Sequence, residues 1–341
     1  MRLARNRTVQ TAAILAAVVC LSAFRFSLFA FRPAQHGAEL AGRVREWAVP
    51  LEDAQPSGVA VDARGRIWVA LERAGKLARF EPKSGEWQPF APPTPDSGPR
   101  GIIAALDGSL WYAAARAGKI GRVDAATGKI TEYAVPGGAA AHSLALARDA
   151  TLWFTAPEAN RIFAMDTKKA SFEEFSLPTE NAQPEGIAIT PDGLVWFAEA
   201  GANRLAWLDP RTGRIREVGT PFAAAHPRQL LAVEYPVRAI YYTDSARGSL
   251  GRLEVARMSF KEWTSPSGAA SQPDAIAADG DGYIWYTELR ANQLVRFDPQ
   301  KQTFRRFTLP SPDSAARAMT ADAGGRLWLA LSGANKIAMV D

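Results

Sequence analysis

Beyond residue 45 the hydrophobic positions fall in short runs that alternate with polar ones and break at Gly, Asp-Gly or Thr-Gly. A period of two with turn residues at each break predicts antiparallel strands joined by hairpins. One stretch shows the pattern complete. Gly186-Ile187-Ala188-Ile189-Thr190 leads through a Pro-Asp-Gly turn into Leu194-Val195-Trp196-Phe197-Ala198-Glu199. A turn around Ala202-Asn203 follows, then Arg204-Leu205-Ala206-Trp207-Leu208-Asp209, a second turn, and Ile215-Arg216-Glu217-Val218. That makes four strands in one unit, and no useful helical stretch is predicted after residue 45.

The unit recurs. Aligned on an aromatic, its copies fall at Trp68, Trp111, Trp153, Trp196, Tyr241, Trp285 and Trp328, spaced 42 to 45 residues apart. The fourth and sixth copies share much of their wording. Gln183-Pro184-Glu185-Gly186-Ile187 with Asp192-Gly193 corresponds to Gln272-Pro273-Asp274-Ala275-Ile276 with Asp281-Gly282. Four-stranded units at this period predict an all-β fold, a seven-bladed β-propeller of antiparallel blades over residues 43–341. The recurrent aromatic is read as the large apolar body packed between blades. The last copy stops at Asp341 after its third strand, whereas Arg45-Glu46-Trp47-Ala48-Val49-Pro50 precedes the first copy and matches the fourth strands near residues 131–136 and 262–266. Residues 43–50 are therefore expected to join the last blade and close the ring, removing the open edges of a linear array.

The beginning of the chain differs. Arg2, Arg5 and Arg7 precede an apolar run over 11–24, Arg25 interrupts it, and 26–31 is apolar again. Residues 1–35 read as a signal peptide or an N-terminal membrane anchor. The expectation is an exported, periplasmic protein, touching the inner membrane only through residues 11–31. Cys20 is the only cysteine, so the propeller has no disulfide or thiol chemistry. The formal charge of +5 suggests nucleic acid at first sight. Five arginines, however, precede the first acid, Glu39, and removing them from 40 basic residues leaves 35 against 35 acidic ones. A neutral body carries no footprint for a phosphate backbone. Phosphate-loop, dinucleotide, zinc-protease and serine-hydrolase motifs are absent from the sequence. Asp279-Gly280-Asp281-Gly282 lacks the downstream acid of a calcium loop and reads as a tight hairpin. In the fifth copy Glu234-Tyr235-Pro236-Val237-Arg238 replaces the usual Asp-Gly turn with a longer one.

The run Gly118-Lys119-Ile120-Gly121-Arg122-Val123-Asp124, followed by Gly128-Lys129-Ile130-Thr131-Glu132-Tyr133-Ala134-Val135-Pro136, resembles the repeats of the streptogramin B (virginiamycin B) lyase family. The resemblance covers roughly residues 43–341. It implies a seven-bladed propeller that opens a cyclic depsipeptide by elimination. A histidine would take a proton next to a carbonyl, and a divalent cation held by glutamates would stabilise the enolate. The family's Glu-x-His place on the sixth blade is occupied here by Gln272-Pro273-Asp274. Glu288 matches the downstream glutamate, and the fifth-blade histidine place falls on Arg228, with His226 two residues earlier.

The repeat also indicates what lines the central opening. The residue after each repeated proline position is Ser57, Arg100, His142, Glu185, Arg228, Asp274 or Arg317. Three residues past each aromatic stand Leu71, Ala114, Ala156, Glu199, Asp244, Glu288 and Leu331, expected at the same rim. Acids thus concentrate on blades four to six. Glu185 with Glu199, and Asp274 with Glu288, are expected as cross-strand neighbours, an arrangement that needs a cation, a bridging arginine or a shared proton. If the site is catalytic, Asp274 is the expected base and Arg228 the anchor for a substrate carbonyl or carboxylate. Glu288 with Glu199 or Asp244 would hold magnesium or calcium, and Arg100, His142, Glu185 and Arg317 would contact substrate. The other reading is a rim in which the acids pair with Arg100, Arg228 and Arg317, on a non-catalytic propeller presenting a ligand or protein site. In either case the expected partner is a small or peptide-like ligand at the tunnel mouth of a monomer.

Overall fold

The computed structural model describes residues 44–341. The leader assigned to 1–35, its apolar stretch 11–31, Cys20 and His36 lie outside the described residues. The described chain forms seven four-stranded antiparallel sheets, six of them built from strands consecutive in sequence. Blade four has the strands read from the alternating pattern: Pro184–Ile189, Val195–Glu199, Arg204–Asp209 and Arg214–Gly219. Helix among the described residues is confined to single 3-10 turns at Ala115–Ala117, Pro136–Gly138 and Ala200–Ala202.

The first strands of neighbouring blades contact one another in an unbroken circuit, from Pro56–Val61 of blade one round to Ala316–Ala321 of blade seven and back. They are the inner strands of a β-propeller. The seventh sheet takes its fourth strand from the other end of the chain. Val44–Ala48 lies antiparallel to Lys336–Val340, with Val44 opposite Val340 and Ala48 opposite Lys336. Trp47 stacks on Trp328 at 5.6 Å and tilts against Phe80 at 5.2 Å, so the closing strand also reaches into blade one. Glu46 accepts hydrogen bonds from Ser311 N (3.0 Å) and Oγ (2.5 Å) and from Lys336 Nζ (3.0 Å).

Each blade is too thin to bury an apolar face alone, so the core is divided among the seams. Seven hydrophobic clusters result, each shared by two adjacent blades, including the seam between blades seven and one. The recurrent aromatics sit in these seams, every one buried. A buried indole N–H needs an acceptor. Three find one in the aspartate of their own hairpin turn: Trp68 in Asp62 (3.0 Å), Trp285 in Asp279 (2.6 Å) and Trp328 in Asp322 (3.2 Å). Asp279 also accepts from the N–H groups of Asp281 and Tyr283, so Asp279-Gly280-Asp281-Gly282 is a hairpin, as read from sequence.

Candidate functional site

Six of the seven inner strands begin on a register shift, as between Pro184 and Ile187, Pro227 and Leu230, or Pro273 and Ile276. Such a bulge re-aims side chains and bends the strand. Here it presents the mouth residue to the tunnel and, in five of the six such strands, follows it with Gly or Ala, because the neighbouring inner strand passes close by; blade five has Gln229 there. A Cβ added at Gly58 would lie 2.1 Å from the carbonyl oxygen of Arg100, and one at Gly186 2.3 Å from that of Arg228. Threonines of the second strand latch the bulge. Thr243 Oγ1 accepts from Gln229 N (3.2 Å) and donates to the Asp274 carbonyl of the next blade (2.8 Å). In blade three, whose inner strand Leu144–Leu146 has no register shift, Thr155 makes the same two bonds, from Ser143 N (3.1 Å) and to the Glu185 carbonyl (2.7 Å).

All seven inner strands line one cavity of about 480 Å³. Its charged wall is a chain of ion pairs. Arg228 Nε lies 3.0 Å from Glu185 Oε2 and 3.2 Å from Asp274 Oδ1, and Arg317 Nη1 lies 3.6 Å from Asp274 Oδ2. The contacts are short in distance but off-line for hydrogen bonding, since Arg228 Nε and Glu185 Oε2 are buried without a hydrogen-bond partner. Asp274 is 3% exposed, and burial pushes its carboxyl above the usual range against the pull of Arg228 and Arg317. Arg100 is engaged differently: Nε and Nη2 clasp the two oxygens of Glu72 at 3.3 and 3.2 Å. His142 lines the same cavity, its Nδ1 3.2 Å from Ser143 Oγ. Burial, with Arg100 and Arg228 nearby, pushes its pKa down to about 4, so the ring is neutral at physiological pH.

The second layer is placed elsewhere than expected. Glu199, Asp244 and Glu288 pair in register with Pro184, Pro227 and Pro273, not with the mouth residues. All three are buried. Glu288 accepts from the hydroxyls of Ser265 and Ser267. Asp244 Oδ1 accepts from the N–H groups of His226 (3.0 Å), Ala246 and Arg247 (both 3.1 Å), while burial still raises its pKa. Both oxygens of Glu199 are buried without a hydrogen-bond partner. Burial and the neighbouring Glu217 push its pKa up to about 8, against the pull of Arg204. The expected oppositions of Glu185 with Glu199 and of Asp274 with Glu288 are thus replaced by Glu185–Arg228–Asp274 at the mouth and by separate contacts behind it. The cause is the bulge, which shifts the register by one residue.

These placements bear on the divalent cation that the family resemblance implies. The carboxylate of Glu288 is taken up by two serine hydroxyls, Gln272 stands in the other glutamate place, and two guanidinium groups flank Asp274. Among the described residues no group of three or more His, Cys, Asp or Glu side chains is placed to hold a metal ion. The residues as arranged do not fit that cation.

The virginiamycin B lyase family model matches residues 36–256 and 223–341. The chain belongs to that family. A streptogramin B lyase structure superimposes with a TM-score of 0.81 at 25% identity, covering 88% of this chain and 97% of that one. The catalytically inactive His-to-Ala variant of virginiamycin B lyase from Staphylococcus aureus, solved with quinupristin, shares the fold at TM-score 0.81 and 23% identity, covering 88% and 99%. The Kuenenia stuttgartiensis hydrazine synthase structure matches at TM-score 0.70 and 13% identity, covering 85% and 96%. No curated protein sequence matches the chain. Within the family frame, sequence reasoning found Asp274, Arg228, Glu185 and Arg317 at one site but missed Glu72 as the partner of Arg100. Glu72 lies one residue past the position compared across blades; its charge beside a row of uncharged equivalents was the available signal.

Proposed function

We propose that this family member is a propeller that binds a small or peptide-like ligand at its tunnel mouth, without the antibiotic-opening chemistry of the lyases. The observation that carries this reading is the Glu185–Arg228–Asp274–Arg317 chain standing where the family resemblance puts the base. A carboxylate held between two guanidinium groups is engaged by their charge rather than free to meet a substrate C–H, even though burial raises its pKa. The S. aureus relative is inactive when its histidine is replaced by alanine, and the corresponding place here has no histidine. Incubating the purified chain with a streptogramin B antibiotic and following ring opening by mass tests the reading. No linear product is expected, whereas quinupristin or another mouth ligand should raise the melting temperature.

A second reading keeps elimination, with Asp274 as the base and Arg228 as the cationic partner of the developing enolate. It is favoured by the burial that raises the Asp274 pKa toward the range of a general base. Turnover of any cyclic ester by the parent, lost in Asp274→Asn with binding retained, would establish it. Export and residence in the periplasm, expected from residues 1–35, belong to either reading and are tested by fractionating cells that express the tagged chain.

A further inference from the structure

The arginines of the mouth are not equivalent. Arg100 spends its fork on both oxygens of Glu72, a bidentate pair that leaves it little to offer a ligand. Arg228 is closest to its two acids through Nε alone, and among the described residues its guanidinium donates no well-aligned hydrogen bond. Arg317 touches Asp274 only at 3.6 Å and keeps a half-exposed side chain. Two guanidinium groups therefore face the same cavity with donors unspent, on either side of a carboxylate that is 3% exposed. Buried polar groups left this way call for a partner.

The formal charges of the mouth balance, with Arg100, Arg228 and Arg317 set against Glu72, Asp274 and Glu185, and His142 adds none. One strand step beyond the polar ring, the same cavity is lined by Val59, Ile102, Leu144, Ile187, Ile276 and Met319. Residues two apart on a strand share a face, so the tunnel passes from a mouth with unspent guanidinium donors to an apolar throat.

We propose that the mouth recognises an amphipathic carboxylate, its anionic group held by Arg228 and Arg317 and its apolar body lodged against the Val59–Met319 ring. The proposal rests on the mouth being a ligand site, as argued above, and adds the class of ligand. Guanidinium forks match carboxylate geometry, and the neutral His142 adds a polar edge without a competing charge. A free organic acid and the C-terminus of a short peptide present the same group.

Calorimetric titration of the full chain tests this with phenylacetate and hexanoate, their uncharged amides, acetate, and N-acetylphenylalanine with its amide. Phenylacetate or hexanoate should bind at least tenfold more tightly than the matching amide and than acetate. Tighter binding of N-acetylphenylalanine than of phenylacetate would point to the peptide source, and the reverse to a free acid; either supports the class. Arg317→Gln, at a half-exposed position where folding is not at stake, should weaken the acid at least tenfold and leave the amide unchanged. Arg228→Lys, which keeps the charge beside Asp274 and Glu185 but loses the fork, should weaken it severalfold. Equal affinity for acid and amide would overturn the carboxylate proposal. Quinupristin binding with no carboxylate binding would overturn it while sparing the mouth as a ligand site, and binding of neither would sink both.

Discussion

Glu199 concentrates the energetics of a single residue. Its carboxyl is wholly buried, unpartnered and close to a second carboxyl, Glu217, which accepts hydrogen bonds from Thr179 (N 3.0 Å, Oγ1 2.7 Å) and Arg204 (2.9 Å). With a folded pKa near 8 against 4.5 in the unfolded chain, the native state keeps a proton that the unfolded state releases between those values. Stability therefore declines as pH rises across that window and levels above it. Glu199→Gln, a neutral side chain of the same shape, should flatten the decline and stabilise by roughly 3 kcal/mol at pH 7, one pKa unit being about 1.4 kcal/mol. Urea titrations of parent and variant at pH 5, 7 and 8.5 measure it. His142 works in the opposite sense. With its folded pKa near 4, below the ordinary 6.5, the native state resists a proton that the unfolded chain accepts, so stability is lost as pH falls from 6.5 toward 4. His142→Gln should remove that part of the acid-side loss, visible as a higher melting temperature at pH 4.5 and none at pH 8.

Among the elements, the inner-strand bulge decides the most. It brings the strands within van der Waals reach at Gly58 and Gly186, where even a methyl group would meet a carbonyl oxygen. Gly186→Ala should cost about 1–3 kcal/mol by overpacking, read as a lower melting temperature. Thr243→Val, nearly the same shape, should cost about 1–3 kcal/mol because the buried Asp274 carbonyl and Gln229 N–H lose their partner. The same bulge marks where sequence reading stopped. Strand alternation and the Trp68-to-Trp328 spacing are enough to derive the blades, and repeat alignment is enough to place Arg228, Asp274 and Arg317 round one opening. Alternation by twos carries no sign of an inserted residue, so Glu199, Asp244 and Glu288 were expected on the rim that they in fact back. The Gly or Ala that follows most mouth positions and the threonine before Asp244 are the trace that a bulge leaves.

At the scale of the whole molecule, stability depends on the seam between blades seven and one. Deleting residues 43–50 should strip Val44–Ala48 from its partner strand, expose the surface covered by Trp47, and yield an aggregating or unfolded chain by size-exclusion chromatography. Deleting 1–35 should leave the melting temperature of the propeller unchanged. Millimolar magnesium or calcium should not raise it either; a rise abolished by Glu288→Ala would restore the cation to the site.

The ion pair between Arg45 and Asp341, 296 residues apart in sequence and 2.8 Å in space, sits on that seam. During synthesis the strand made first must wait, half-dressed, for the strand Lys336–Val340. A chain that stops before Lys336 leaves Val44–Ala48 without its partner strand and both lips of the gap bare, so the ring shuts only once its last strand exists.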